Sequence, residues 1–271
     1  MKPSGLFYIL LVIVILVAGC AANPYRSANR SYRQQVKAFA RLLKEQPAYI
    51  DSTPAPDYWV GTTNFGMRKP NFVIIHHTAQ TACDTTLHTF TLPRTQVSAH
   101  YVICKDGTIH HMLNDYLRAW HAGVSQWGNL TDVNSSSIGI ELDNNGFEPF
   151  PEAQISSLLQ LLKKLKKDNG IPTANFIGHA DVAPKRKNDP NRYFPWEQLA
   201  RNGYGYWYDT AATQVPAGFD PLPSLRIIGY NVKDPVAAIK AFKLHFVQQD
   251  TLPRLTEADK KIIYELSKKY M

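Results

Sequence analysis

Among the nine histidines of this 271-residue chain, two stand where chemistry is expected. His76 follows directly on Phe72-Val73-Ile74-Ile75, a continuous run typical of a strand buried on both faces. His179 follows Phe176-Ile177-Gly178, a second short strand candidate. Ten residues further lies Asp189, in Lys187-Asn188-Asp189-Pro190, where proline forces a turn able to return the carboxylate toward the imidazoles. Two histidines and one carboxylate leave the fourth tetrahedral position open for water, the arrangement of a catalytic zinc. Spacing alone does not separate this set from three ordinary polar residues, and Asp181, two residues past His179, competes for the third place. His77 adjoins His76 on a strand and so points to the opposite face, away from such a site. His110, His111 and His245 have only surface or packing roles to suggest. Trp120 and Trp127 suit sugar stacking or a core equally. Neither Cys83 nor Cys104 sits in a Cys-x-x-Cys pair; a disulfide between them and two buried thiols both fit.

These residues need elements to carry them. Beyond the strand at Phe72–Ile75, Ser98–Cys104 turns through Lys105-Asp106-Gly107 into Thr108–Leu113, a hairpin signal. Ser137–Leu142 reads as a third strand and Asn175–Gly178 as a short one. From Pro151 to Lys167, apolar residues recur at helical spacing, and Asn169-Gly170 stops the helix. Lys163, Lys164, Lys166 and Lys167 form its solvated face. Near the start, Ala21–Arg30 is a polar tether, and Val36, Phe39, Leu42 and Leu43 mark one face of a helix over Tyr32–Lys44. After Tyr208 the pattern turns to short helical pieces at Leu225–Tyr230, Val236–Phe246 and Glu257–Tyr270. The fold class is α/β: a central mixed β-sheet flanked by helices, with the zinc site at one edge of the sheet, plus a small C-terminal all-helical domain. The expected divisions are 1–19, a signal peptide; 20–48, tether and helix; 49–208, the catalytic domain; and 209–271, the helical domain.

Composition bounds the partners. Hydrophobic residues make up 44% and charged residues 19%, which supports a packed core and excludes a disordered chain. The net charge of +8 favours nucleic acid, anionic lipid or a polymer bearing carboxylates. The first twenty residues choose among these. Lys2 precedes an apolar run from Leu6 to Ala18, too short to span a bilayer comfortably, and Val17-Ala18-Gly19-Cys20 ends it. This resembles the lipobox of bacterial lipoproteins, with Cys20 lipidated as the mature N-terminus. Export removes nucleic acid from the expected partners. Ala21 and Ala22 after the cysteine favour the outer membrane, facing the periplasm.

The ordered motifs Val73-Ile74-Ile75-His76-His77-Thr78-Ala79, Val97-Ser98-Ala99-His100-Tyr101, Ala119-Trp120-His121-Ala122-Gly123, Ser137-Ile138-Gly139-Ile140-Glu141-Leu142 and Gly178-His179-Ala180-Asp181-Val182-Ala183-Pro184 carry a resemblance. With Lys187, Asp189-Pro190 and Phe194-Pro195-Trp196, they are similar to the type 2 N-acetylmuramoyl-L-alanine amidase family, zinc amidases related to peptidoglycan recognition proteins, and most of all to its outer-membrane lipoprotein branch. The resemblance covers about Tyr49 to Tyr208, and the tail resembles a small helical peptidoglycan-binding module. It implies His76, His179 and Asp189 as ligands of one zinc, Glu141 and Lys187 as catalytic residues, and peptidoglycan and muropeptides as partners. His100 and His121 fall within its motifs but not at ligand positions, so cleft lining or hydrogen bonding is expected of them. A family member without cutting activity, or a zinc peptidase acting within the stem peptide, are the alternatives. The family often has Gly after Asp-Pro; Asn191 stands here, a residue that tolerates a left-handed turn.

Overall fold

The computed structural model describes residues 23–45 and 61–271, in two compact units, residues 1–65 and 66–271. The signal segment, Cys20 and Tyr49 lie outside the described residues. In the first unit, α1 spans Arg26–Leu42. It starts earlier than the expected Tyr32, so half of the expected tether is helix. Pro24 lies just ahead of that start, and Arg26 to Arg30 contains no Gly or Pro to oppose it.

In the second unit, β1 (Phe72–His77), β2 (Tyr101–Ile103), β3 (Ile109–His111), β4 (Ser137–Leu142) and β5 (Phe176–Gly178) form one sheet in the order β3-β2-β4-β1-β5. β1 is parallel to β4 and β5, β2 is parallel to β4, and β3 is antiparallel to β2, closing the predicted hairpin. Alternation along the central strands divides their side chains between two cores. Val73, Ile75, Ile138 and Ile140 pack on Leu158, Leu162 and Leu165 of α4 (Glu152–Asn169). That helix ends at Gly170, whose left-handed φ of +66° is the glycine stop expected from Asn169-Gly170.

Ile74 and Ile177 face the other way and pack with Leu225, Phe242 and Ile263 of the C-terminal helices. These are α7 (Pro221–Ile228), α8 (Pro235–Phe246) and α9 (Glu257–Tyr270), which follow the short α5 (His179–Val182) and α6 (Trp196–Arg201). Beyond residue 209 the chain is helical, and these helices pack on this side of the sheet. On this face Phe72, Ile74 and Ile177 form an apolar patch, and these helices keep it from water, while His76 and Glu141 continue the same face toward the C-terminal ends of β1 and β4.

Two connections went unread in the sequence. α2 spans Cys83–Thr91 with threonine, a weak helix former, at three of its nine positions besides its end. The four-residue α3 (Val133–Ser136) leads into β4. Cys83 and Cys104 are joined as a disulfide with a Cα separation of 5.4 Å, tying α2 to the end of β2.

Candidate active site

Three parallel strands deliver the site at their C-terminal ends. His76 and Glu141 are register partners on β1 and β4, so both side chains leave the same face of the sheet. His179, directly after β5, is the first residue of α5. The loop after α5 brings Asp189 back, its carbonyl accepting from the Ala180 N–H at 2.8 Å. His76 Nδ1 lies 2.9 Å from His179 Nδ1 and 3.1 Å from Asp189 Oδ2, and His179 Nδ1 lies 3.0 Å from that same oxygen. All three residues are buried.

The groups behind these atoms fix which of them carry hydrogen. The Val133 carbonyl only accepts, so Ser137 Oγ donates to it at 2.6 Å. Ser137 Oγ then accepts from His121 Nε2–H at 3.1 Å. His121 Nδ1, left without hydrogen, accepts from His76 Nε2–H at 3.0 Å. His76 Nδ1 is therefore a bare lone pair. His179 Nε2 donates to the Ala122 carbonyl at 3.2 Å, which leaves Nδ1 as the lone pair of the neutral ring. Burial above all, and the neighbouring His179, push His76 down to about 4, so the imidazole is neutral near pH 7. With both rings neutral, two imidazole lone pairs and a carboxylate oxygen face one another with no hydrogen between them. That arrangement is repulsive by itself and fits a cation: the edge of a tetrahedral zinc site with Zn–N near 2.0 Å is ~3.3 Å, close to these separations.

Glu141 stands beside this cluster. Its Oε2 is out of solvent contact with no hydrogen-bond partner among the described residues. Burial first, then the Asp189 charge, push its carboxyl up to about 8, while Lys187 pulls it back. Lys187 is exposed, two residues before Asp189, and its side chain makes no ion pair or hydrogen bond among the described residues. Its charge reaches Glu141 and His76.

His121 is held on all sides. Asn134 Oδ1 accepts from the backbone N–H groups of His121 and Ala122, at 3.1 and 2.9 Å. Its ring lies on Gly139: a Cβ there would come within 2.4 Å of His121 Cγ. Arg68 clamps the entry to β4 by donating to the Ser135 and Ser137 carbonyls at 3.0 and 3.1 Å. Sequence reading missed Ser137, Asn134 and Arg68. One signal was available, since an isolated glycine inside a strand pattern marks a close approach.

The other candidates fall elsewhere. Asp181 is not in the cluster. Its Oδ1 accepts from Tyr230 O–H at 2.7 Å, and its Oδ2 meets the Gly178 N–H at 2.7 Å and His245 Nδ1 at 2.8 Å. His77 points to the opposite face, where its Nδ1 accepts from Asn191 N–H at 3.0 Å. Asn191 is not left-handed; it is buried and donates through Nδ2 to Asn144 Oδ1 and the Glu148 carbonyl, so the residue after Asp-Pro joins loops instead of making a turn. His100 is also buried, its Nδ1 accepting from Gly139 N–H at 3.0 Å. His245 is a packed residue, stacked on Trp196 with ring centroids 3.8 Å apart. Trp127 is core, edge-on to Tyr230, whereas Trp120 is exposed.

Residues 66–192 match the family model described as N-acetylmuramoyl-L-alanine amidase. The chain is 32% identical over 272 residues to N-acetylmuramoyl-L-alanine amidase AmiD of Escherichia coli K12, covering 89% of each protein. It is 42% identical over 104 residues to 1,6-anhydro-N-acetylmuramyl-L-alanine amidase AmpD of Haemophilus influenzae, covering 38% of this chain and 56% of that one. Among solved structures, it superposes on the E. coli AmiD complex with anhydro-N-acetylmuramic acid-L-Ala-D-gamma-Glu-L-Lys with a TM-score of 0.68 and 31% identity, covering 78% of this chain and 93% of that one. AmpDh3 of Pseudomonas aeruginosa in complex with anhydromuramic pentapeptide also gives 0.68, at 28% identity over 81% and 99% of the two chains. The likeness runs through the strands that carry the cluster and on into most of the chain, which belongs to the type 2 N-acetylmuramoyl-L-alanine amidase family and hydrolyses the amide bond between N-acetylmuramic acid and L-alanine in peptidoglycan or its fragments.

Proposed function

We propose that the amidase is zinc-dependent, with His76, His179 and Asp189 as the ligands, Glu141 as general base and acid, and Lys187 as the cation that steadies the developing oxyanion. The observation that carries this reading is the convergence of two imidazole nitrogens and a carboxylate oxygen at 2.9–3.1 Å. When bound there, zinc supplies Lewis-acid chemistry, lowering the pKa of water from 15.7 toward ~7 and polarising a carbonyl.

The remaining steps belong to the chain's own groups. Glu141, in its ionised form, takes a proton from the attacking water, whose oxygen bonds to the lactyl carbonyl carbon. The Lys187 ammonium faces the carbonyl oxygen as it becomes anionic. Glu141 then passes the proton to the alanine nitrogen as the C–N bond breaks, giving a free lactyl carboxylate and a stem peptide with a free amino terminus. An unpartnered buried carboxylate oxygen suits a group that must both accept and release a proton.

Mass spectrometry of products from purified sacculi and muropeptides, with and without chelator, tests the assignment. Intact stem peptides beginning at L-Ala, lost on chelation and restored by zinc, are the expected result. Shortened peptides would make the enzyme a zinc peptidase, no product would make the chain a binding protein, and full activity after stringent chelation would end the zinc assignment.

The same reading places the enzyme in the cell envelope as a lipoprotein held by Cys20, at the outer membrane and facing the periplasm. Its support is Val17-Ala18-Gly19-Cys20 after a short apolar run. Fatty-acid labelling should mark the wild type and not Cys20→Ser; equal labelling of both would remove the lipid anchor.

A further inference from the structure

The most strongly patterned surface outside the active site is α1. Its cations Arg26, Arg30, Arg33, Lys37 and Arg41 recur at intervals of four, three, four and four residues. Tyr32, Val36, Phe39 and Leu43, the last being the C-cap, recur at four, three and four. At ~100° per residue the cations occupy an arc of about 80° and the apolar set an arc of about 60°, or about 120° with the exposed Leu42, on separate sides of the helix. No acidic residue lies between Arg26 and Leu42, and none of the helix's side chains is buried. Phe39 and Leu43 are 49% and 81% exposed.

We propose that α1 lies in the headgroup layer of an anionic lipid bilayer, with Tyr32, Val36, Phe39 and Leu43 in the acyl boundary and the five cations among lipid phosphates. Its 17 residues make a rod of ~25 Å, and no helix among the described residues is long and apolar enough to cross a membrane, so this helix rests on a surface. Charge complementarity and apolar stripe together select lipid. The carboxylates of peptidoglycan answer the cations but give Phe39 and Leu43 nothing apolar to enter. Pairing with a second copy covers the stripe but leaves the cations without counter-charge. The place in the chain agrees, since α1 begins six residues after Cys20, within ~20 Å of it even fully extended. The inference deepens the envelope reading but does not depend on acylation.

The chain from residue 21 onward, lacking the acylated cysteine, should be sedimented with vesicles. It should bind vesicles with about 30% phosphatidylglycerol at low salt at least tenfold more tightly than pure phosphatidylcholine, and lose most of that binding at about 0.5 M salt. Arg30→Glu with Lys37→Glu, and separately Phe39→Asp with Leu43→Asp, should each weaken binding tenfold or more, with cleavage of a soluble muropeptide unchanged. Equal binding to neutral and anionic vesicles, binding to sacculi alone, or a dimer dissolved by Phe39→Asp without vesicle binding would overturn the proposal. Labelling at Cys20 is read separately, so failure of the helix and failure of the anchor are distinguishable.

Discussion

Two buried histidine–aspartate clusters, whose aspartates Asp181 and Asp189 are only eight residues apart in sequence, behave oppositely. In the first, Asp181 faces Tyr230 O–H, the Gly178 N–H and His245 on its two oxygens, so every group finds a complement. In the second, Asp189 meets two imidazole nitrogens of rings held through their other nitrogens, by His121 and by the Ala122 carbonyl. Residue type and burial are alike in both. What separates them is whether donors match acceptors: a closed set holds the fold together, and an open set of lone pairs awaits a cation. Of Asp181 and Asp189, which spacing left in competition, it is Asp189 that faces both His76 and His179.

The largest effect should come from opening the second cluster further. His179→Ala or Asp189→Ala removes one of three donors, and metal content, measured by atomic absorption after dialysis, should fall to background with hydrolysis abolished. Asp181→Asn should keep its metal. If Asp181→Asn lost metal and Asp189→Asn did not, the two clusters would have been assigned in reverse.

Next are the groups beside the cluster. Glu141→Gln keeps size and polarity but cannot take a proton, so zinc should stay bound while kcat falls ~10²–10⁴-fold. Lys187→Met should cost ~10²-fold in kcat with metal retained. A zinc-free Glu141→Gln, or a Lys187→Met that loses less than tenfold, would show that the residue has another role.

A smaller effect is expected one shell out. His121 supplies the lone pair that orients His76 Nε2–H, and partners of this kind typically change metal affinity by 10–100-fold. His121→Ala should weaken zinc in competition titrations with a chromophoric chelator by that factor. Gly139→Ala should act in the same direction, because a Cβ would meet the His121 ring at 2.4 Å. Unchanged zinc affinity in both variants would make His121 a packing residue only.

The sequence-to-structure comparison follows the same division. β4 forms over Ser137–Leu142, as its alternation and β-branched residues suggest, and α4 ends at the glycine that marks its stop. His76 and His179 stood out because each follows a short apolar run, where period and composition change together, whereas Glu141 came only with the family resemblance of Ser137–Leu142. The chain from Val133 through Ser137 and His121 was not legible. It joins residues from separate loops through single hydrogen bonds, and no periodicity reports which hydroxyl faces which ring. The merging of the C-terminal helices with the sheet also escaped the sequence, since an apolar helix face looks the same whether it covers its own module or the back of a sheet.

The smallest effect concerns the closed cluster and tests whether it is only structural. Tyr230→Phe deletes one hydroxyl and leaves ring packing against Trp127 and Phe242 in place. Asp181 Oδ1 then loses its donor inside a buried site, which typically costs ~1–3 kcal/mol. Urea denaturation should show a lower midpoint with an unchanged slope, the sign of lost stability without a change in the surface exposed. Zinc affinity and kcat should stay within about threefold of wild type, because Tyr230 meets Asp181 and not the three converging donors. Asp181 does bond to Gly178, the residue before His179, so a path to the metal ligand exists. A Tyr230→Phe protein of normal stability that binds zinc tenfold more weakly would show that this path is used, and that the C-terminal helices position the metal site as well as cover the sheet.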